Sequence, residues 1–233
     1  MLPTSTVENY LKAIYSAQRA LAGDGLVPMG QLAGALQVVP GTATTMVKAL
    51  AESGLVQYEP YAGVRLTAAG DKLAALVLRR HRLIELFLVE VMGMSWAEVH
   101  DEAEHLEHAV SERLIGRMDE MLGFPSVDPH GDPIPNADGG VHEHAYDTLL
   151  ECPIGQPVRV ARVADQDAGF LRFLEQRALM PGQPITVVER DAAADSVAVQ
   201  GAGDRLVVLG ARAASKVLVD TAHVRRGSRG RSA

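Results

Sequence analysis

The 233-residue sequence predicts a multi-domain α+β protein with an N-terminal winged helix-turn-helix, an all-α middle domain and a small C-terminal β-barrel. Three observations predict this fold. Helical periodicity followed by a β-type hairpin occupies the first segment, longer helical stretches fill the second, and apolar and polar residues alternate in the third. We expect the parts to be the winged domain (1–73), the helical domain (74–140), a linker (141–153), the barrel (154–224) and a basic tail (225–233).

The first domain combines three helices with a hairpin. Thr4 or Ser5 can cap the first helix, and Gly54 would end the third in the position that favours glycine. Two short strands flank the turn at 60–63 and form the hairpin. Three helices and a hairpin in this order describe a winged helix-turn-helix. The helices are expected over 4–22, 31–37 and 42–53, and the strands over 55–59 and 64–67.

The third helix is expected to contact DNA. Hydroxyl groups can bond phosphates or base edges, and lysine neutralises phosphate. The alternative is that these threonines only face solvent and cap the helix. The net charge of −7 argues against nucleic acid, but residues 1–75 hold five basic and five acidic residues, so this domain is neutral. The expected DNA-contacting residues are Thr42, Thr44, Thr45 and Lys48, with Arg65 in the hairpin.

The middle domain carries an unusual run of acids and imidazoles. Two helices are expected, over 69–91 and 96–114, and residues 100–110 hold three histidines and four carboxylates but no lysine or arginine. On one helix, four of these side chains fall within a single arc, and the three at 104, 107 and 108 can reach one cation. Without a cation, like charges three or four residues apart destabilise a helix by a few tenths of a kcal/mol each. The four are His100, Glu104, Glu107 and His108.

A second pair of possible ligands lies on the preceding helix. His81 and Glu85 are four residues apart, and His81 lies at the edge of the apolar stripe, so it points inward. The alternative for the whole set is a solvated acidic face with His81 as a hydrogen-bonded core residue. The sequence favours metal binding for the whole set, because this crowding of like charges is unfavourable without a cation.

The C-terminal part changes to a period of two. The Pro- and Gly-rich stretch 125–140 is expected to be a loop, and a helix over 167–177 interrupts the strands that follow. Short strands with one helix suit a small five-stranded barrel. His142 and His144 are expected to be an exposed pair in the linker. The strands are expected over 158–163, 185–189, 197–200, 205–209 and 216–219.

Composition limits the compartment and the class of protein. Cys152 is the single cysteine, so no disulfide can form within the chain and a reducing cytoplasm is expected. No signal peptide is recognisable, and no apolar run reaches the roughly 20 residues of a membrane span. A phosphate loop, a nucleophile elbow and the paired Glu-x-x-His motifs of di-metal bundles are absent from the sequence. We therefore expect neither an enzyme nor a small organic substrate.

Five motifs in order resemble the DtxR/MntR family of metal-dependent transcriptional repressors. The last domain is similar to the SH3-like domain of its longer members, through ALMPGQPITVVERD (178–191). The resemblance implies a homodimer that binds double-stranded operator DNA when metal is bound and represses metal-uptake genes. The motifs are VENYLKAIY (7–15), GLVQYEPYAGVRLTAAG (54–70), RRHRLIELFL (79–88), VHDEAEHLEH (99–108) and GDPIP (131–135).

The resemblance also implies two metal sites and therefore up to two ions per subunit. The primary site would be Asn9, Glu104, Glu107 and His108. The ancillary site would be His81, Glu85 and His100, with Asp165, Gln166 and Asp167 of the barrel as further candidates.

The departures from the family pattern bear on the metal. Iron-responsive members have a methionine and a cysteine where this chain has Asn9 and Glu104. Oxygen donors favour Mn²⁺ over softer metals, with Fe²⁺ as the alternative. Lys12 stands where short manganese-type members carry an acid, and a lysine cannot ligate, so a separate ancillary site is expected rather than a close metal pair. An Fe²⁺-responsive repressor and a metal-independent winged-helix regulator are the alternative functions.

Overall fold

A computed structural model of the chain describes residues 4–21, 25–142, 144–201, 203 and 205–222. The chain forms two compact units, each with its own core. The first comprises Met1–Leu83, His105–Arg117 and Ile134–His142, and the second comprises Ile84–Glu104, Met118–Pro133 and Glu143–Ala233. The basic tail expected over 225–233 lies outside the described residues. None of the helices in the described ranges combines the length and the apolar character that a transmembrane span requires.

The N-terminal part of the first unit is the predicted winged helix-turn-helix. The Thr4 side chain accepts a hydrogen bond from the Val7 N–H and caps the first helix, as predicted. Gly54 follows the third helix with φ +72°, a conformation that glycine adopts without strain. Val27 pairs with Val64 and extends the antiparallel hairpin. The elements are α1 (Ser5–Ala20), α2 (Met29–Ala35), α3 (Pro40–Glu52), β1 (Val56–Glu59) and β2 (Gly63–Leu66).

Helix α1 has two faces with different roles. One face buries Tyr10, Leu11, Ile14 and Tyr15 in a core that also contains residues of α2, α3 and both strands of the hairpin. The other face carries three polar residues, of which Glu8 is buried although it is charged. Because residues 8, 9 and 12 are separated by one, three and four positions, they lie together on that face. The core of the helix-turn-helix and a polar cluster therefore share one helix.

The middle part of the chain has three helices, where the sequence predicted two. They are α4 (Ala68–Glu90), α5 (Val99–Leu106) and α6 (Glu112–Met121). The single helix predicted over 96–114 is wrong, because α5 ends at Leu106 and residues 107–109 form a turn. The Leu106 carbonyl accepts hydrogen bonds from Ala109 and Val110, and Ser111 then caps α6 through the Leu114 N–H.

The C-terminal part of the second unit is a six-stranded antiparallel sheet in the order β3-β8-β4-β5-β6-β7. All five predicted strands are present, and a short sixth strand, β3, pairs with β8 inside the segment predicted as a linker. Leu149 and Cys152 of that segment are fully buried in the barrel core. The elements are β3 (Asp147–Thr148), β4 (Pro157–Val163), α7 (Ala168–Glu175), β5 (Pro184–Asp191), β6 (Ser196–Gln200), β7 (Leu206–Gly210), α8 (Ala211–Ala214) and β8 (Val217–Asp220).

The predicted loop at 125–140 contains no regular strand or helix, as expected, but residues 127–133 are held by specific pairings. Val127 pairs with Pro133 in an isolated bridge. The Asp128 side chain accepts hydrogen bonds from the His130 and Asp132 N–H groups at 2.8 and 2.9 Å, which shapes the turn between them. The domain boundaries themselves stay predictions.

Candidate metal centres

The first cluster of ligand atoms lies in the first unit, between α1 and the turn that follows α5. His108 Nε2 lies 2.8 Å from Asn9 Oδ1 and 3.3 Å from Glu107 Oε1. Glu107 is completely buried. Both neighbours of Nε2 are oxygen atoms, so a proton on Nε2 or a cation held between the three atoms would satisfy this arrangement. The structure thus brings together three of the four residues predicted for the primary site.

Glu107 has a cationic or proton-donating partner on each oxygen. The His81 Nδ1–H donates to Oε2 at 2.6 Å, and the Lys12 ammonium donates to Oε1 at 2.8 Å. Burial alone would raise the pKa of the Glu107 carboxyl. The hydrogen bonds and charges of His81 and Lys12 outweigh burial, so the pKa lies below its usual value. Glu107 is therefore an anion in the interior.

A carboxylate that the sequence did not single out orients His108. The His108 Nδ1–H donates to Glu8 Oε2 at 2.6 Å, and Arg80 holds the other Glu8 oxygen at 2.5 Å. A carboxylate on one ring nitrogen fixes the tautomer and turns the opposite nitrogen toward a metal. Glu8 lies next to Asn9 in the sequence, but its partner His108 is 100 residues away, so residue spacing does not predict this contact.

The other predicted ligands of the middle helices belong to the second unit. Glu104 Oε1 lies 3.9 Å from His100 Nε2, and His100 Nδ1 lies 3.1 Å from Glu85 Oε1. Within the second unit, the structure thus brings together Glu85 and His100 of the predicted ancillary set. The third member, His81, lies in the first unit and is hydrogen-bonded to Glu107.

A second cluster, not predicted from the sequence, joins Glu85 to the loop at 128–132. Glu85, Asp128 and His130 are all buried, and each offers a ligand atom within 4.8 Å of the others. His130 Nε2 lies 2.8 Å from the Trp96 carbonyl, which can only accept, so the proton is on Nε2. Nδ1 is buried and has no hydrogen-bond partner among the described residues. Its nearest carboxylate oxygens are those of Glu85 at 3.9 Å and Asp128 at 4.0 Å.

The loop that carries Asp128 and His130 is docked on strand β4. The His130 carbonyl accepts a hydrogen bond from the Val163 N–H at 2.9 Å. Gly131 has φ +85°, and a Cβ there would lie 2.0 Å from the Ala161 carbonyl oxygen. The register of β4 against β8 shifts between Val160 and Arg162, so the docking point coincides with an irregularity of the strand. Glycine at 131 lets the two backbones approach.

The three barrel candidates have other partners in the structure. Asp165 forms an ion pair with Lys216, and that hydrogen bond holds the pKa of the Asp165 carboxyl below its usual value. Gln166 donates to Asp132 Oδ2 at 3.0 Å. Asp167 caps α7 by accepting from the Phe170 N–H at 2.9 Å.

The predicted DNA-contacting residues lie on α3 and β2. Thr42, Thr45 and Lys48 are exposed, and Thr44 is half-buried. The Thr44 and Thr45 hydroxyls donate to the Pro40 and Gly41 carbonyls at 2.9 and 3.0 Å, so their remaining capacity is as acceptors and methyl groups. Arg65 lies in the hairpin, where its Nε donates to Gln57 Oε1 at 2.7 Å.

The chain resembles known proteins along most of its length. Residues 2–64 match the N-terminal DNA-binding domain of iron-dependent repressors, residues 67–136 match their metal-binding and dimerisation domain, and residues 148–221 match the FeoA domain. The iron-dependent repressor IdeR of Mycobacterium tuberculosis is 31% identical over 195 residues, which cover 78% of this chain and 83% of IdeR.

Solved structures of manganese-dependent regulators are similar as well. A manganese-dependent transcriptional repressor in complex with manganese gives a TM-score of 0.83 at 41% identity, covering 92% of this chain and 99% of that one. The manganese regulator SloR gives a TM-score of 0.70 at 32% identity, covering 94% and 99%.

Proposed function

The chain belongs to the DtxR/MntR family of metal-dependent transcriptional repressors, and from this membership we propose that it is a manganese-dependent repressor of metal-uptake genes. The family consists of DNA-binding regulators and not of enzymes. Its members include both iron- and manganese-dependent proteins. The proposed protein acts on double-stranded operator DNA in the cytoplasm, as a homodimer.

One observation carries the proposal of a primary centre: His108 Nε2 lies against Asn9 Oδ1 and Glu107 Oε1. Two oxygens and one imidazole nitrogen are hard to borderline donors, which suit Mn²⁺, whereas thiolate and thioether would favour softer metals. The only cysteine is buried in the barrel core and is not a donor here. Glu104 stays a ligand predicted from the sequence alone.

A second, separate centre is proposed at Glu85, Asp128 and His130. The donor set again consists of carboxylates and one imidazole, and His130 Nδ1 is buried without a hydrogen-bond partner among the described residues. A buried imidazole nitrogen beside two carboxylates suits a divalent cation. His100 contacts Glu85 and is proposed to support this centre, while the barrel candidates Asp165, Gln166 and Asp167 remain predictions.

The coupling between metal and DNA follows from the two faces of α1. Asn9 is on the polar face, whereas the opposite face shares a core with the recognition helix α3. Lys12 and Glu8 already join α1 to the turn at 107–109. A divalent ion held by Asn9, Glu107 and His108 would add its charge to this link, and the position of α3 relative to the turn would then be fixed more firmly. In a dimer, two recognition helices must reach successive major grooves about 34–36 Å apart, so a fixed position favours DNA binding.

The proposed homodimer is supported by exposed apolar side chains in the segment that matches the dimerisation domain. Met92, Met121 and Phe124, all in the second unit, are 62%, 63% and 71% exposed. Burying these side chains against a second subunit would remove apolar surface from water. The DNA-binding residues proposed for each subunit are Thr42, Thr44, Thr45, Lys48 and Arg65.

The function can be tested by fluorescence anisotropy on duplex DNA selected from a random pool in the presence of Mn²⁺. We expect tight binding with Mn²⁺ and a loss of about 10-fold or more with a chelator, since allosteric couplings are typically 1–3 kcal/mol. Glu107→Gln and His108→Ala should lose the Mn²⁺ response, and Glu102→Gln, an exposed acid on α5, should keep it.

The other outcomes identify the alternatives. Equal binding with Mn²⁺ and with chelator would leave a metal-independent winged-helix regulator. A response to Fe²⁺ under anaerobic conditions, with none to Mn²⁺, would make the protein an iron-responsive repressor of the same family.

A further inference from the structure

The proposed primary centre already contains a cation that belongs to the chain. Lys12 lies on α1, three residues after Asn9 and four after Glu8, and so on the same face. Its ammonium lies 2.8 Å from Glu107 Oε1, the same oxygen that faces His108 Nε2. The Lys12 side chain is 14% exposed and the Glu107 side chain 0%, so water screens this pair poorly.

The Lys12 ammonium cannot be a metal ligand. It has three donors and no acceptor, so it contributes no lone pair to a coordination shell. A divalent ion that binds Glu107 Oε1 would meet a positive charge at the same oxygen, and the two cations repel each other. The ion and the ammonium therefore compete for Glu107.

The ammonium also satisfies Glu107 when no ion is bound. A buried carboxylate without a positive partner is strongly destabilised. His81 occupies only one of the two Glu107 oxygens, and Lys12 occupies the other. An internal counter-cation thus keeps the metal-free fold intact and lowers the gain from binding a metal ion.

We propose that Lys12 is an intramolecular competitor of the metal ion for Glu107, and that it sets the metal concentration at which the primary centre fills. This inference rests on the proposed function, because it assumes that Glu107 is a metal ligand. It assigns Lys12 a role in affinity that is separate from any role in folding. A residue that only stabilised the fold would not weaken metal binding.

The test compares Mn²⁺ affinity and thermal stability in four full-length proteins: the parent, Lys12→Met, Lys12→Gln and Lys12→Arg. We expect both neutral variants to bind Mn²⁺ about tenfold more tightly at the Glu107 centre, within the usual range of site coupling. Without metal, both should unfold at a lower temperature than the parent, because Glu107 loses its partner. Lys12→Arg keeps the charge and should remain close to the parent in both measurements.

Affinity is measured by counting free Mn²⁺ with electron paramagnetic resonance, in a His130→Ala background that removes the second proposed centre. Lys72→Met, which removes an exposed lysine on α4, is the matched control and should change nothing. Equal or weaker Mn²⁺ binding by both neutral variants would overturn the inference. If a neutral variant folds only when Mn²⁺ is present, the inference is supported, since the ion replaces the ammonium. Failure to fold even with Mn²⁺ would show that Lys12 acts through packing.

Metal binding by Glu107 and competition by Lys12 can be tested separately. If Glu107→Gln binds Mn²⁺ as well as the parent, the proposed primary centre is wrong. If Glu107→Gln loses Mn²⁺ while the Lys12 variants gain no affinity, only the competition is wrong.

Discussion

Glu107 shows how much a single buried carboxylate depends on its partners. Its two oxygens contact His81, Lys12 and His108, and each contact comes from a different part of the first unit. Removing one partner of a buried ion pair commonly destabilises a protein by about 3–5 kcal/mol, because the remaining charge stays buried. The chemistry at this centre is therefore set as much by the partners as by the ligands.

Glu8 is expected to influence metal affinity by orienting the ligand His108, without itself binding the ion. Glu8→Gln removes the charge that holds His108 Nδ1, so Mn²⁺ affinity should fall about 10- to 100-fold. Titration calorimetry measures this loss. Glu90→Gln, an exposed acid at the end of α4, should retain the parent affinity. An unchanged affinity in Glu8→Gln would mean that the carboxylate does not orient the imidazole.

The only tryptophan gives a direct signal from the second proposed centre. Trp96 stacks on His130 with ring centroids 5.5 Å apart, and its carbonyl accepts from the same ring. We expect Mn²⁺, which is paramagnetic, to quench Trp96 fluorescence in a saturable way. Asp128→Asn and His130→Ala should abolish the saturable quenching, whereas His142→Ala, in an exposed position, should not. Saturable quenching that persists in both variants would show that the second proposed centre does not bind Mn²⁺.

The sequence predicted ligands by type where they lie in a dense acid and histidine run, and it missed others for a physical reason. Glu107 and His108 were predicted from that run, Asn9 was implied by the family resemblance, and the three side chains converge. Asp128 and His130 lie in a Pro- and Gly-rich loop, where no periodicity indicates which side chains point inward.

At the scale of elements, helix α5 departs from the predicted pattern. Helix α5 ends before Glu107, so the helical arc predicted for four ligands does not exist. No proline or glycine lies at 107–111 to predict a helix end. The buried partners of Glu107 come from α1 and α4, which are distant in sequence and which periodicity does not reveal. The winged helices and the strands of the barrel, by contrast, follow strong local patterns and were predicted well. The FeoA match agrees with the SH3-like barrel.

The loop at 128–132 can be tested through its glycine. Gly131→Ala combines a positive φ with a Cβ that would clash with the Ala161 carbonyl, so we expect a loss of about 3 kcal/mol in the free energy of unfolding. Gly182→Ala has a similar φ of +90° but open space around the Cβ, and should lose only about 1 kcal/mol. Denaturant unfolding measures both. Gly131→Ala should also weaken the Mn²⁺ quenching of Trp96. Equal losses in the two variants would mean that the close approach is unimportant.

At the scale of the whole molecule, charged residues are unevenly distributed along the chain. The chain has 22 basic and 29 acidic residues, of which residues 1–75 hold five and five. The remaining chain therefore carries 17 basic and 24 acidic residues, which accounts for the full net charge of −7. This distribution explains why overall acidity is compatible with a DNA-binding segment. The overall composition does not distinguish the neutral segment 1–75 from the acidic remainder, whereas the positions of the charges along the chain do.

The single thiol reports on the integrity of the second unit. Cys152 is fully buried, and burial raises the pKa of its thiol, so the reactive thiolate is scarce. We expect the native protein to react with a disulfide reagent more slowly than the unfolded chain, by about 100-fold or more. Ala194→Cys in a Cys152→Ser background supplies an exposed thiol in the same domain and should react at once. Rapid labelling of native Cys152 would contradict the buried position.

The two-faced helix α1 has a consequence for how metal preference can diverge among descendants of this protein. Substitutions at positions 9 and 12 alter the donor set and the local charge, while the aromatic and aliphatic stripe that anchors the recognition helix stays untouched. Changes at the proposed metal centre can therefore accumulate without disturbing the packing of α3, because the two sets of residues lie on opposite faces of α1.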